Sequence, residues 1–222
     1  FNKVITEAIE GLPLNKRPLI IKCKDEEFIK NSPIKNEITN DDLAEIGNTK
    51  VTLEWPNDEW DACSLNYTSG TTGDPKGVLY HHRGAWLTAM SNQMVWSMGK
   101  HPVYLWTLPM FHCNGWCFPW TITMLGGTHV CLRKVTAKNI YDSIADHGVT
   151  HLCGAPVVMN MICNAPEEER REMPHTVEIM TAAAPPPPTV IARMEEAGFN
   201  VTHVYGLTEV YGPAVVCQWQ EA

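Results

Sequence analysis

Short apolar runs alternate with stretches of helical spacing along most of this chain. Cys63–Tyr67 and Val103–Leu108 have the length and apolar character typical of strands. Thr136 can cap a helix that Gly148 can end. This alternation predicts an α/β fold with mainly parallel sheets flanked by helices. Further strands are predicted at Thr128–Leu132, Thr150–Cys153, Val177–Thr181 and Asn200–Tyr205.

Helical spacing predicts further helices between these strands. Pro119 lies inside the predicted helix Asn114–Leu125 and is expected to kink it, because proline removes a backbone donor and clashes with the preceding turn. The other predicted helices are Val157–Cys163, Pro187–Ala197 and one whose apolar face is marked by Trp86, Met90, Met94 and Val95.

The first 60 residues carry no pattern that predicts chemistry. Apolar positions from Phe1 to Ile9 have helical spacing and Gly11 can end that helix, while Leu19–Ile21 predicts a strand. A charged, Asn-rich stretch follows. We therefore divide the chain into an N-terminal and connecting portion, residues 1–60, and a core that carries the motifs, residues 61–222.

Composition narrows the function classes. The chain has 222 residues, a net charge of -8 and 44% hydrophobic residues, which argues against general nucleic-acid binding. No apolar stretch is long enough to span a bilayer. Eight scattered cysteines in apolar text predict buried thiols in a reducing compartment, which favours the cytoplasm. Cys113, Cys117 and His112 lie close in sequence, but no second ligand pair stands at the spacing of a zinc site.

A loop rich in glycine and hydroxyl side chains follows the first strand of the core. It runs Tyr67-Thr68-Ser69-Gly70-Thr71-Thr72-Gly73-Asp74-Pro75-Lys76-Gly77. Glycines allow close backbone approach, N–H and O–H groups donate hydrogen bonds, and the lysine supplies a point charge, so the loop suits a polyphosphate. It is not the common P-loop, because Pro75 and Gly77 make a helix after Lys76 unfavourable.

Two other segments with polar residues follow predicted strands. They are Pro109–Gly115 and Gly206–Glu209. Ligands of open α/β sheets gather beyond the carboxyl ends of the strands. The sequence therefore predicts that these segments meet the glycine-rich loop at one edge of the sheet.

Taken together, the segments resemble the motifs of the adenylate-forming acyl-CoA synthetase superfamily from about Asn57 to Trp219. The pattern of the glycine-rich loop matches position for position, and the form of Pro109–Trp120 looks most like short- and medium-chain acyl-CoA synthetases and methylmercaptopropionate-CoA ligases. The resemblance implies that the chain is part of the large N-terminal domain of such an enzyme. The alanines of Thr181–Pro185 depart mildly from a pattern that often has glycine.

The resemblance also implies a role for each motif. Lys76 and the loop hydroxyls would hold the β,γ-phosphates of ATP, Thr208 would bind the α-phosphate, and Glu209 would bind Mg²⁺. His112 and Trp116 would face the acid. Lys76, His112, Thr208 and Glu209 would be catalytic. The nucleotide-binding set would be Thr68, Ser69, Gly70, Thr71, Thr72, Gly73, Lys76, Ala183, Ala184, Pro185, Tyr205, Gly206 and Thr208, with Tyr205 stacked on adenine.

The reaction implied is carboxylic acid, ATP and CoA to acyl-CoA, AMP and pyrophosphate, as in fatty acid metabolism. Other readings remain open: an adenylation domain that loads an amino or aryl acid onto a carrier protein, a phosphate-binding NTPase or kinase, and a non-catalytic nucleotide-binding remnant. A homo-oligomer is also left open. The family's ribose-binding aspartate, hinge and C-terminal catalytic lysine have no counterpart in these 222 residues, which are expected to be inactive alone.

Overall fold

The computed structural model describes residues 2–19, 21–22, 38–47, 50–52, 54–68 and 73–218. The chain divides into two compact units, Phe1–Trp55 and Pro56–Ala222. The division into a motif-free portion, 1–60, and a nucleotide-binding core, 61–222, concerns function and stays a prediction.

The first unit contains short elements. The predicted N-terminal helix is confirmed as α1, Asn2–Glu10. A 3₁₀ turn at Leu14–Lys16 follows, and then β1 (Ile21–Lys22) pairs in parallel with β2 (Ile38–Thr39). Helix α2 spans Asn40–Ile46. It begins with a capping box, in which the Thr39 side chain accepts from the backbone of Asp42 and the Asp42 carboxylate accepts in return.

The second unit is built from eight strands and six helices among the described residues. The strands are β3 Ala62–Tyr67, β4 Gly77–His81, β5 Val103–Trp106, β6 Thr128–Cys131, β7 His151–Cys153, β8 Val177–Thr181, β9 Phe199–Leu207 and β10 Gly212–Cys217. The helices are α3 His82–Val95, α4 Cys113–Trp116, α5 Phe118–Met124, α6 Ala137–His147, α7 Pro156–Cys163 and α8 Pro188–Glu196. Short 3₁₀ turns lie at Glu167–Glu169 and Thr208–Val210.

Six of these strands form one sheet in the order β10-β9-β8-β7-β5-β6. All neighbours in this sheet are parallel except β10, which runs antiparallel to β9 at the edge. Strands β3 and β4 form a separate antiparallel pair. The predicted α/β architecture with mainly parallel strands is therefore confirmed.

Helices α6, α7 and α8 cover one face of the large sheet. Ile140 and Ile144 of α6 and Ile162 of α7 are fully buried there against strand residues such as Ile179. Burying each such side chain contributes about 1.5–3 kcal/mol. The predicted boundaries of α6 are confirmed, since the Thr136 hydroxyl accepts from the Asn139 backbone and Gly148 ends the helix at φ +63°.

The opposite face of the sheet packs against α5 and the end of α3. Strand residues that alternate with the first set, such as Tyr104 and Met180, point to this side. Phe118 and Ile122 of α5 lie fully buried against them. Because the sheet is covered on both faces at β5, this strand reads as a continuous apolar run, as in other buried parallel strands.

Two helical predictions are wrong. The buried face of α3 is formed by Ala85, Ala89 and Asn92, whereas Trp86 and Met94 are exposed. The reason is a close approach between α3 and α5, where the Thr121 hydroxyl donates to the carbonyl of Ala89 at 3.2 Å. Only small residues fit at such a contact.

The predicted single helix Asn114–Leu125 is interrupted. It divides at Cys117, which has φ +67° and lies between α4 and α5. Pro119 is not a kink inside a helix but a residue of the first turn of α5, where its missing N–H has no cost.

Strands β4 and β10 were not predicted from the sequence. Both are short antiparallel strands, and β4 is paired with β3 through the glycine-rich loop. The backbone N–H of Thr68 donates to the carbonyl of Lys76 at 2.9 Å and closes the base of that loop. Among the described helices, none is long and apolar enough to cross a membrane.

Candidate active site

A cavity of about 490 Å³ opens where the three predicted site loops converge. Its walls come from the loop between β3 and β4, from the segment after β5, and from the ends of β8 and β9. This is the carboxyl edge of the parallel strands, the usual place for a ligand in such a sheet. The lining residues are Thr68, Gly73, Lys76, His112, Cys113, Trp116, Ala182, Ala183, Val204, Gly206, Leu207, Thr208, Glu209, Gly212 and Pro213.

Most of the predicted site residues that the structure describes line this cavity. They are Thr68, Gly73, Lys76, His112, Trp116, Ala183, Gly206, Thr208 and Glu209. Ala184, Pro185 and Tyr205 are exposed and do not belong to the lining, so the stacking of Tyr205 on adenine stays a prediction. Ser69, Gly70, Thr71 and Thr72 lie outside the described residues.

The loop between β3 and β4 brings Thr68 and Lys76 together. Tyr67 pairs with Gly77 across the two antiparallel strands, so Thr68 and Lys76 lie side by side where these strands end. Lys76 therefore precedes a strand, which separates this loop from the strand-to-helix loop of P-loop proteins. The lysine side chain is exposed at the mouth of the cavity, where its charge is accessible to an anion.

The turn that carries Thr208 and Glu209 is tied to both neighbouring segments. The Tyr80 hydroxyl donates to the backbone carbonyl of Thr208, and the Cys113 thiol donates to the Thr208 hydroxyl at 3.4 Å. Tyr80 also stacks on Tyr211, with ring centroids 3.8 Å apart. These contacts fix the 3₁₀ turn against β4 on one side and α4 on the other.

Burial raises the pKa of both of these tyrosines further above neutral pH. It raises the pKa of Tyr80 above its ordinary value and raises the pKa of Tyr211 to about 12. The Tyr211 hydroxyl accepts a hydrogen bond from the indole nitrogen of Trp120 at 3.0 Å. The two rings therefore serve as uncharged supports for the Thr208–Glu209 turn.

Five consecutive residues beside the cavity have positive φ. The angles are 43° at Cys113, 43° at Asn114, 61° at Gly115, 53° at Trp116 and 67° at Cys117. We call residues 113–117, which include the four residues of α4, the left-handed turn. A left-handed helical conformation costs roughly 1–2 kcal/mol for each residue other than glycine. Such a segment persists only where its surroundings hold it, and it is typical of functional sites.

Side-chain hydrogen bonds to β3 and to α3 hold the left-handed turn. The Asn114 carbonyl oxygen accepts from the Ser64 hydroxyl at 2.7 Å and from the Asn66 amide at 2.6 Å, both on β3. Asn92 of α3, only 1% exposed, donates its amide to the backbone carbonyl of Trp116 at 2.8 Å. The Cys117 thiol donates to the carbonyl of Ala85 at 3.2 Å.

Glycines allow the turn and its neighbours to approach closely. A Cβ at Gly115 would lie 2.8 Å from the Trp106 ring. A Cβ at Gly212, which has φ +120°, would lie 3.1 Å from Cα of Trp116. Trp116 is thus buried between backbone segments and forms a fixed apolar wall of the cavity.

Several residues of the site were not found from sequence. Cys113, Ala182, Val204, Leu207, Gly212 and Pro213 line the cavity, and Tyr80, Asn92, Asn114 and Tyr211 support it. Apolar and small lining residues look like core in a single sequence. Strand β10, which brings Gly212 close to Trp116, was not predicted either, so Gly212 and Pro213 could not be assigned to the site.

The cavity offers one carboxylate among its described lining residues, which suits a metal ion whose other ligands are the phosphate oxygens of a bound nucleotide. Glu209 contributes a carboxylate beside the Thr208 hydroxyl. Among the described residues, no group of three or more His, Cys, Asp or Glu side chains could hold a metal by itself. Mg²⁺ usually binds one or two carboxylates together with phosphate oxygens, so Glu209 and a nucleotide would suffice.

Comparison with known proteins agrees with these observations. The family model described as AMP-binding enzyme matches residues 3–222. The chain belongs to the AMP-binding enzyme family. The resemblance to adenylate-forming acyl-CoA synthetases inferred from the motifs is therefore confirmed.

Plant CoA ligases are among the similar proteins. A peroxisomal acetate/butyrate–CoA ligase of Arabidopsis thaliana is 51% identical over 210 residues, which are 92% of this chain and 37% of that protein. A 2-methylpropanoate–CoA ligase of Humulus lupulus is 52% identical over an alignment that covers 98% of this chain and 40% of that protein. The chain thus spans about two fifths of the length of these relatives.

A solved structure with the same fold is the N-terminal domain of FACL13 from Mycobacterium tuberculosis, crystallised with an inhibitor. It is 27% identical, superposes with a TM-score of 0.72, and the match covers 81% of this chain and 46% of that one. The expectation that this chain forms part of the N-terminal domain of an adenylate-forming enzyme is confirmed.

Proposed function

We propose that the full-length protein activates a short- or medium-chain carboxylic acid with ATP, and transfers the acyl group from acyl-AMP to CoA. The observation that carries the proposal is the single cavity in which Lys76, His112, Thr208 and Glu209 meet. AMP and pyrophosphate are the other products.

The polar end of the cavity suits a nucleotide triphosphate. Lys76 and the hydroxyl groups of the glycine-rich loop would bind the β,γ-phosphates, while Thr208 would bind the α-phosphate. Glu209 would hold Mg²⁺, which when bound neutralises charge on the phosphate oxygens. Ala183, with φ +80°, lies at the end of β8, where a small side chain leaves room for a flat base.

The apolar end suits a small acyl group. Trp116, Val204 and Pro213 contribute apolar walls, and Trp116 is fixed by the contact with Gly212. A wall that cannot move limits the length of the acid. The relatives named above act, by their names, on acetate, butyrate and 2-methylpropanoate, which supports a short acid here. His112, exposed at the cavity, would lie beside the reacting carboxylate.

Chemistry at this site would consist of positioning and charge stabilisation. The carboxylate oxygen attacks the α-phosphorus, the bond to the bridging oxygen breaks, and pyrophosphate leaves with the electron pair. Lys76 would stabilise the charge that develops on pyrophosphate, and Thr208 would orient the α-phosphate. The resulting mixed anhydride is open to attack by a thiol.

Acid-dependent exchange between ATP and labelled pyrophosphate tests this proposal. The full-length protein is assayed with acetate, butyrate, 2-methylpropanoate, octanoate, cinnamate and an amino-acid mixture. We expect exchange that requires acid and Mg²⁺ and is fastest with a short acid. Exchange with amino acids alone would favour carrier loading. Release of phosphate or ADP without exchange would favour an NTPase or kinase and contradict the proposal.

Location and assembly belong to the same proposal. The prediction of buried thiols holds for Cys113, Cys117, Cys153 and Cys163, which are buried and free, but is wrong for Cys131 and Cys217, which are free and exposed. The free thiols support a reducing compartment. We retain the cytoplasm as the proposed location, although a relative carries the word peroxisomal in its name. Fluorescence of the tagged full-length protein against cytoplasmic and peroxisomal markers decides between them. A homo-oligomer remains a proposal that light scattering tests.

A further inference from the structure

Different segments carry the acid-binding and the phosphate-binding residues of the proposed site. His112 directly precedes the left-handed turn and Trp116 is one of its residues, so the position of the turn sets the positions of both side chains that would face the acid. The hairpin of β3 and β4 carries Thr68 and Lys76, which would face the phosphates. The relative position of acid and α-phosphate therefore depends on how the turn is fixed to the hairpin.

Asn114 makes that connection. Its carbonyl oxygen receives two hydrogen bonds from β3, from Ser64 Oγ at 2.7 Å and from Asn66 Nδ2 at 2.6 Å. Ser64 and Asn66 lie two residues apart on the strand and point to the same side. Asn66 is separated from Thr68, the first lining residue of the hairpin, by Tyr67 alone.

The other supports of the turn come from different segments. The Cys113 thiol donates to the Thr208 hydroxyl at 3.4 Å, and two further bonds come from α3. Asn92 and Ala85, which bond Trp116 and Cys117, both lie on α3. These bonds hold the C-terminal half of the turn and do not involve the hairpin. Losing the Asn114 bonds would therefore leave the turn attached to α3 and, through the Cys113 thiol, to Thr208, while releasing it from β3.

We propose that Asn114 is a positioning residue for acid activation, which sets the distance between the acid-facing turn and the phosphate-facing hairpin. This inference rests on the proposed function. Asparagine is suited to the position for two reasons: it tolerates positive φ better than most residues, and its amide oxygen can accept both bonds. Asn114 itself does not line the cavity.

Three single variants and one double variant separate the effect of the hydrogen bonds from that of the backbone conformation. Asn114→Gly removes the amide but permits positive φ without strain. Asn114→Asp keeps an oxygen that accepts from Ser64 and Asn66. Asn66→Asp adds the same charge on the other side of the contact, and Asn114 can turn its amide to donate to the new carboxylate. The double variant places two carboxylates opposite each other and loses the connection.

The expected result is a loss of rate with ATP binding retained. Asn114→Gly should lower kcat for acid-dependent ATP–pyrophosphate exchange by about 10- to 100-fold, because small displacements of reacting groups cost that much. The dissociation constant for ATP, measured by calorimetry, should change by less than about threefold, since Asn114 lies outside the cavity. Each single Asp variant should keep most of the rate, and the double variant should resemble Asn114→Gly.

Hydrogen exchange gives a readout that does not depend on activity. The backbone N–H of Gly115 donates to the carbonyl of His112 at 2.9 Å. Peptides covering residues 112–117 should exchange faster in Asn114→Gly and in the double variant than in the wild type. In Asn114→Asp they should exchange at about the wild-type rate. Peptides from α6 should not change, which shows that the variants remain folded.

Different failures have different meanings. Exchange protection and kcat that are both unchanged in Asn114→Gly would overturn the inference while leaving the proposed function intact. Equal losses of protection in α6 would show a general structural role and would also overturn it. If the wild type catalyses no acid-dependent exchange, the proposed function fails, and the hydrogen-exchange comparison alone decides whether Asn114 connects the turn to the hairpin.

Discussion

Two regions of the second unit follow different rules: the face of the large sheet that α6, α7 and α8 cover, and the cavity at the carboxyl edge of its strands. On the side of α6, α7 and α8, apolar side chains at regular spacing fill one core, and between Ala137 and Thr181, all described by the structure, only Gly148 has positive φ. At the cavity, the left-handed turn, Ala183 and Tyr211 all have positive φ. The first region obeys local preferences, while the second is held against them by contacts from distant segments.

This difference implies a division of labour between the regions. The face of the large sheet that α6, α7 and α8 cover should supply a large share of the free energy of folding, because it holds the cluster with the most buried apolar residues in the described part of the chain. The cavity side should supply geometry, at a cost in backbone strain. Changes in the first region should alter stability with little effect on the reaction, and changes in the second should do the reverse or affect both.

The largest expected effect is on the free energy of unfolding and concerns the face of the sheet that α6, α7 and α8 cover. Ile144 is fully buried in α6, and Ile144→Ala should lower the free energy of unfolding by about 2–5 kcal/mol. The rate of ATP–pyrophosphate exchange per folded molecule should stay within about twofold of the wild type, because the site does not include α6. Urea unfolding with a parallel activity assay checks both. A matching loss of rate would break the division.

The next effect is on the reaction. Lys76→Ala should slow adenylation by about one to three powers of ten, or about 1.4–4 kcal/mol of transition-state stabilisation, with little change in the KM for the acid. Lys100→Ala is the control, since Lys100 is exposed and outside the cavity. Single-turnover kinetics of pyrophosphate release measure it. An unchanged rate would remove Lys76 from the site.

Two glycines with nearly equal φ compare the regions directly. Gly148 (φ +63°) has no atom within 4 Å of an added Cβ, whereas Gly115 (φ +61°) has Trp106 at 2.8 Å. Gly148→Ala should cost about 1 kcal/mol of stability from backbone conformation alone. Gly115→Ala should cost about 1–3 kcal/mol more, because the side chain also overpacks against the ring. Equal costs, measured by chemical unfolding, would show that Trp106 moves freely.

A smaller effect concerns pH and the other end of the sheet. Burial lowers the pKa of His151 from 6.5 to about 4, and Glu178 on the paired strand β8 is the nearest carboxylate in register. A lowered folded-state pKa means that the unfolded chain binds the proton more readily. The stabilising contribution is therefore complete above pH 6.5 and is lost as the pH falls toward 4.

Replacement of His151 should flatten this part of the pH profile. Between pH 7 and 4.5, the wild type should lose about 2 kcal/mol more stability than His151→Asn, since each pKa unit corresponds to about 1.4 kcal/mol. Urea titrations at a series of pH values provide the comparison. Parallel profiles would show that His151 does not change its protonation state in this range.

Sequence predicted the regular region more completely than the site. The start of α6 at Thr136 and its end at Gly148 followed from caps and periodicity, because those signals are local. The glycine-rich hairpin and the Thr208–Glu209 turn were found from their motifs. The break at Cys117 was not, since nothing local favours positive φ in a cysteine.

Residues that act through distant contacts had no sequence signal. The bonds from Ser64 to Asn114 and from Asn92 to Trp116 join segments 50 and 24 residues apart. The buried face of α3 was wrongly predicted for the same reason, because a close approach of α5 favoured Ala85 and Ala89 over larger apolar residues. Such choices are made by packing and not by periodicity.

The most direct test of the central claim follows an oxygen atom. The full-length protein is incubated with ATP, CoA and a short carboxylic acid labelled with ¹⁸O in both carboxylate oxygens, and the products are examined by mass spectrometry. Attack of the carboxylate on the α-phosphorus predicts one labelled oxygen in each AMP and none in pyrophosphate. Label in inorganic phosphate, with ADP as the other product, would mean transfer of the γ-phosphoryl group and would contradict the account.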